Sequence, residues 1–222
     1  CVFNVGALAV ENVKTIDFTS REDLSKDIGI DLAEDYAVVT FHPVTLEEDS
    51  GVEQFDQLLG AIKEFPNMKF IITKANADAG GMCINQKIDD FAEEHDNVVA
   101  VTSLGVKRYL SAVKECAVVI GNSSSGIIEA PCLHVPTVNV GDRQKGRMMP
   151  GSVLCCEPNR DAIVEAVKKA TSPGFRESVK TMENPFGDGT ASEKMVEVMR
   201  MAFAQRGEID VMKSFYDIEV SK

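Results

Sequence analysis

The sequence lacks several features that would assign a function quickly. No apolar run approaches the ~20 residues that a membrane-spanning helix needs, and no signal-peptide pattern opens the 222 residues. The six cysteines (Cys1, Cys83, Cys116, Cys132, Cys155 and Cys156) have no C-x-x-C spacing, and the three histidines form no cluster with them. No protein-held metal and no cofactor are therefore expected. The thiols, several of them inside apolar strands, read as reduced small hydrophobes of a cytoplasmic protein. Basic residues are outnumbered, 23 Lys and Arg against 35 Asp and Glu, for a net charge of −12. Nucleic acid and anionic membrane are thus excluded as general partners, and any phosphate site must be a local basic spot. The G-x-G-x-x-G fingerprint is absent, which argues against a nicotinamide enzyme. No G-x-S-x-G elbow occurs, so Ser/His/Asp chemistry is not supported.

What is present is a regular alternation of short apolar strands and amphipathic helices. The strand-like runs are AVVTF (37–41), KFIIT (69–73), VVAV (98–101), AVVIG (117–121), PTVNV (136–140) and SVLCC (152–156). Val52, Phe55, Leu58, Leu59, Ile62 and Phe65 lie at helical spacing between the first two. Further helices are expected at about 82–95, 106–115, 124–133 and 159–171. Strands apolar throughout, alternating with helices, predict an α/β fold: a doubly wound parallel sheet of Rossmann-like type. Residues 1–34 read as a linker and a first short helix begun by Ser20. Residues 35–172 form the core of a single domain, and 173–222 a helical tail. In that tail Met212, Phe215 and Ile218 make a short amphipathic segment that packs on the domain or faces something outside it. The chain opens on Cys1, already close to an apolar segment, and is expected to be a piece of a longer protein.

The most informative stretch is AVVIGNSSSGIIEAPCLHVPTVNVGDRQKGR, residues 117–147. A buried strand runs through small hydrogen-bonding residues into a helix that opens near Ser125. Unpaired N–H groups and a positive dipole end make such a junction an anion site; it is also a common serine-capped turn. Ser123, Ser124 and Ser125 add hydroxyls, Gly121 and Gly126 allow close backbone approach, and Arg143 and Arg147 follow downstream. Glu129, near the start of that helix, either stabilises the helix end or accepts the hydroxyls of a ribose.

In the usual strand order 3-2-1-4-5-6, the loops after strands 1 and 4 diverge and leave a ligand crevice. His42, in HPVTLEED, would meet NSSSG there as an acid/base group or a phosphate partner, or simply hold its loop. The acidic part of that loop reads as a helix start and a solvated face. KANADAGG, with Asn76 and Asp78, is turn chemistry first and ligand contact second; TSLG brings Ser103 to the same edge. His134 reads as structural and His95 as a helix cap.

FHPVT (41–45), NADAGG (76–81), IGNSSSGIIEAP (120–131), VNVGDRQKGR (138–147) and NPFGDG (184–189) together resemble the UDP-N-acetylglucosamine 2-epimerase family. FHPVT and GDRQKGR are similar to its hydrolysing branch, which makes N-acetylmannosamine and UDP; the nonhydrolysing branch carries an H-R-R-E-N-type run instead. The resemblance implies the C-terminal domain of a two-domain GT-B enzyme, the N-terminal domain being absent, with a UDP-sugar substrate and a homo-oligomeric state. It also implies roles. Ser123 and Ser124 would hold the diphosphate, with Gly126 in the same nest, and Glu129 would bind the ribose. Ser103 and Leu104 would seat the uracil, Arg143 would pair with phosphate or a carboxylate, and Asn76 would line the cleft. His42 would be catalytic, facing the scissile C–O bond. The proton-moving carboxylates would belong to the N-terminal half.

Overall fold

The structure is a computed structural model and describes residues 2–43, 50–76 and 80–206. Asp78, the acidic loop after His42 and the segment with Met212, Phe215 and Ile218 lie outside the described residues. The chain runs α1 (Leu8–Thr15), α2 (Arg21–Ile28), β1 (Tyr36–Thr40), α3 (Ser50–Ile62), β2 (Lys69–Thr73), α4 (Gly81–Glu94), β3 (Val98–Val101) and α5 (Gly105–Glu115). It continues through β4 (Val118–Gly121), α6 (Ser125–Cys132), β5 (Thr137–Val140), β6 (Val153–Cys156), α7 (Arg160–Ala170), α8 (Pro173–Val179) and α9 (Ala191–Arg206).

The six strands form one sheet in the order β3-β2-β1-β4-β5-β6, with every pairing parallel. This is the expected doubly wound fold and order. Its cause is visible in β1, where all five residues are buried. Alternate side chains enter opposite layers. Ala37, Val39 and Phe41 pack with Phe55 and Leu58 of α3, Ile84 and Ile88 of α4, and Ile163 of α7. Tyr36 and Val38 pack with Leu24 of α2, Ala112 and Val113 of α5, and Ala130 of α6. A sheet covered on both faces leaves its strand ends as the place where loops can build a site.

Ser20 caps α2 as expected, its Oγ accepting the Asp23 N–H at 3.1 Å, and Gly29 ends the helix in the left-handed region at φ 73°. The linker reading of the first residues needs correction, because Leu8–Thr15 is helical. Only Val10 and Val13 are buried in α1, and it packs on α6 and α9. The Ser192 N–H donates to the Glu11 carboxylate at 2.9 Å. Contacts from sequence-distant elements, not a periodic apolar face, hold this helix. Among the described residues no helix is long and apolar enough to cross a membrane.

At the sheet centre Gly121 pairs with Thr40 in register. A Cβ on Gly121 would lie 2.0 Å from the Thr40 carbonyl oxygen, and its φ is +129°. Sterics and backbone conformation both demand glycine. Gly121→Ala is expected to destabilise the protein by about 3 kcal/mol or more, read as a lowered denaturation midpoint; an unchanged midpoint would show that the β1–β4 contact is looser than described.

Candidate functional site

The carboxyl ends of β1 and β4 are joined by one buried residue. The Asn122 side chain is 1% exposed and bonds both backbone polar groups of His42. Its Oδ1 accepts the His42 N–H and its Nδ2 donates to the His42 carbonyl, each at 2.8 Å. Its own N–H donates to the Thr40 carbonyl at 3.1 Å. The Asn122 carbonyl accepts from Gln144 Nε2 at 2.7 Å and from Arg143 Nη1 at 3.1 Å. Three loops, those after β1, β4 and β5, are thus tied at one amide. The loop after β2 joins them, because the Asn76 N–H donates to His42 Nδ1 in a long contact of 3.4 Å. A backbone N–H can only donate, so Nδ1 is the acceptor in this contact.

Beside this junction is a cavity of about 380 Å³. His42, Ser103, Leu104, Ser123 and Glu129 line it, together with Thr40, Thr73, Tyr109 and Ser125. The Thr40 and Thr73 hydroxyls bond one another at 2.6 Å. α6 starts at Ser125, as expected, after Ser124 as N-cap residue. The Ser125 N–H reaches Ser123 Oγ at 3.3 Å, and those of Gly126, Ile127 and Ile128 bond the carbonyls of Ser123 and Ser124. Among the described residues the N–H groups of Ser123 and Ser124 have no protein acceptor, so two amide donors and the positive end of the α6 dipole can receive an anion.

Of the expected site residues, His42, Ser103, Ser123 and Glu129 share the cavity. Asn76 and Arg143 are exposed and reach the site through His42 and Asn122. Ser124 stands at the helix start without a side-chain cap bond. A Cβ on Gly126 would come 2.8 Å from Thr137 Cγ2. The close packing of α6 on β5 therefore itself requires glycine at this position. His134 bonds the Val179 carbonyl at 3.3 Å and His95 stacks on Phe91 at 4.0 Å, both away from the cavity. Asn122 and Tyr109 are the residues whose place the sequence reading missed. Asn122 stood in the NSSS run, but its bonds to His42 are visible only once β1 and β4 are adjacent. No group of His, Cys, Asp or Glu among the described residues could hold a metal.

The fold and the position of this cavity define a Rossmann-like α/β domain with its ligand crevice at the topological switch point. The chain belongs to the UDP-N-acetylglucosamine 2-epimerase family, whose family model matches residues 1–200. It is 36% identical over 218 residues to polysialic acid biosynthesis protein P7 of Escherichia coli, covering 98% of this chain and 55% of that protein. It is 34% identical over 178 residues to the GDP/UDP-N,N'-diacetylbacillosamine 2-epimerase (hydrolyzing) of Campylobacter jejuni, covering 80% and 46%. In fold it is similar to the UDP co-structure of MnaA from S. aureus, with a TM-score of 0.70 at 17% identity, covering 92% of this chain and 54% of that one. The chain spans about half the length of the curated relatives it matches.

Burial raises the pKa of Glu129 above its ordinary 4.5, against weaker lowering by its own backbone and Ser125. A carboxyl raised in the folded state adds stability below its unfolded value, and that contribution is lost as pH rises through the raised value. In the ligand-free protein, Glu129→Gln is therefore expected to raise the melting temperature at pH 7, with the gain vanishing below pH 4.5. A gain that persisted at low pH would mean that burial of this charge is not the cause.

Proposed function

We propose that this chain is the nucleotide-sugar-binding C-terminal domain of a hydrolysing UDP-N-acetylglucosamine 2-epimerase, converting UDP-N-acetylglucosamine and water to N-acetylmannosamine and UDP. One observation carries the proposal: His42, the amide donors before α6 and the half-buried Glu129 meet at one crevice although they come from separate parts of the chain. In this reading the N–H groups and hydroxyls of Ser123 and Ser124 receive the diphosphate, with Arg143 supplying positive charge in an acidic protein. Glu129 accepts the ribose hydroxyls, Ser103 and Leu104 border the base, and Asn76 borders the sugar.

His42 stands where a leaving diphosphate would develop charge. With Nδ1 accepting from the Asn76 amide, the Nε2 proton is the one offered to that oxygen as the anomeric C–O bond breaks. Elimination of UDP gives a glycal-like intermediate, and water then adds with inversion at C2. The carboxylates that move protons at the sugar belong to an N-terminal half, so the chain alone would not turn over. A homo-oligomeric state and a cytoplasmic location are part of the same proposal. The hydrolysing assignment rests on FHPVT and GDRQKGR, and on relatives such as the Campylobacter jejuni protein whose names carry that activity. Those names also favour a second substrate for the same site, a UDP-linked diacetamido sugar.

Turnover of both UDP-sugars by the full-length protein separates these readings. There, His42→Ala is expected to lower kcat by about 100-fold or more while UDP affinity stays within about threefold. Unchanged kcat would remove His42 from the chemistry.

A further inference from the structure

We propose that Asn122 is a positioning residue for the reaction: by holding both backbone polar groups of His42, it sets the imidazole relative to the amides of Ser123 and Ser124. The inference rests on reading His42 as the group that gives a proton to the leaving diphosphate. Its own observation is separate and concerns the backbone. β1 and β4 are paired as far as Thr40 and Gly121, and the Asn122 N–H extends the pairing by one bond, to the Thr40 carbonyl. Beyond that point the Asn122 side chain takes the part of a strand. Its carboxamide meets the His42 N–H and carbonyl at 2.8 Å each. The N–H can only donate and the carbonyl only accept, so the amide has one orientation. Pro43, the next residue, has no N–H with which to carry the pairing further.

Asn122 is itself held from the other side. Its carbonyl accepts from Gln144 Nε2 at 2.7 Å, and Gln144 is buried with no partner for its Oε1 among the described residues. Turning that amide round would set its oxygen against the Asn122 carbonyl. The glutamine thus forgoes a bond at one atom to keep the one that fixes Asn122. The ring contact of His42 is long by comparison, 3.4 Å from the N–H of the exposed Asn76. The short, buried bonds are those on the backbone, and they are what place His42. An asparagine that merely held a loop need not adjoin a site. Here the residue it holds lines the cavity, and so does Ser123, the residue that follows it. One side chain therefore fixes the spacing between proton donor and leaving group, where an error of about 1 Å can cost about 100-fold in rate.

The test is a double-mutant cycle on kcat in the full-length protein, with the UDP-sugar that it turns over. Calorimetric titration with UDP and the melting temperature are measured in parallel. Asn122→Ala removes both bonds to His42. It is expected to lower kcat by about 30-fold or more while UDP affinity stays within about threefold. In a protein that already carries His42→Ala, the same change is expected to alter kcat by less than about threefold. Asn122→Asp keeps the shape and reads the proposal even if Asn122→Ala does not fold. Protonated, the introduced carboxyl can donate to the His42 carbonyl as the amide does; ionised, it sets a negative oxygen against that carbonyl. The kcat of Asn122→Asp relative to wild type is therefore expected to rise about tenfold or more from about pH 8 to about pH 5. A loss of kcat equally large with and without the His42 side chain would overturn the positioning role. So would a lower melting temperature with unchanged kcat, or an Asn122→Asp ratio that does not move with pH. These outcomes leave His42 in the chemistry. Unchanged kcat in His42→Ala alone would overturn the reading of His42 and this inference with it.

Discussion

The contact between Gly121 and the Thr40 carbonyl is the constraint on which the carboxyl edge of this sheet depends. Only a residue without a Cβ lets β4 end so close to β1. That closeness puts the next residue, Asn122, where its N–H reaches Thr40 and its side chain reaches both polar groups of His42. Each such bond contributes only about 1 kcal/mol net, but a buried partner left unpaired costs about 1–3 kcal/mol. The arrangement is therefore difficult to relax by halves. Gln144 and Arg143 close on the Asn122 carbonyl from the loop after β5. His42 is thereby held by its backbone, and its Nδ1 accepts from the Asn76 N–H.

The electrostatics of the crevice follow from the same placement. The chain carries a net charge of −12, so an anion is attracted to this edge by local donors, not by the field of the whole molecule. The Ser123 and Ser124 amides, the α6 dipole and Arg143 supply that local character. Glu129 sits a turn further along α6, where burial disfavours its charge.

How much of this was readable from the residues depends on where each signal lives. The strands of KFIIT and VVAV coincide with the structure because buried parallel strands are apolar at every position. The strand order, and with it the meeting of His42 and NSSSG, followed from the connectivity of such sheets. α1 was not readable, since Val10 and Val13 alone mark its buried side and its partners lie far along the chain. A glycine at a helix start such as Gly126 signals close approach without saying which neighbour approaches on the side a Cβ would occupy. Here it is Thr137. Asn122 and Tyr109 carry ordinary local patterns, a turn residue and a helical aromatic. Their places follow only from the fold, which sets Asn122 against a group some 80 residues away and Tyr109 on the wall of the cavity.

The central claim is that the switch-point crevice holds a diphosphate. Calorimetric titration of the full-length protein with UDP, and with uridine as the control ligand, tests it most directly. The account predicts that UDP binds and that uridine binds at least about 100-fold more weakly, since charge-assisted bonds to the diphosphate are the stronger set. Equal affinity for the two, or no binding of UDP, would contradict it.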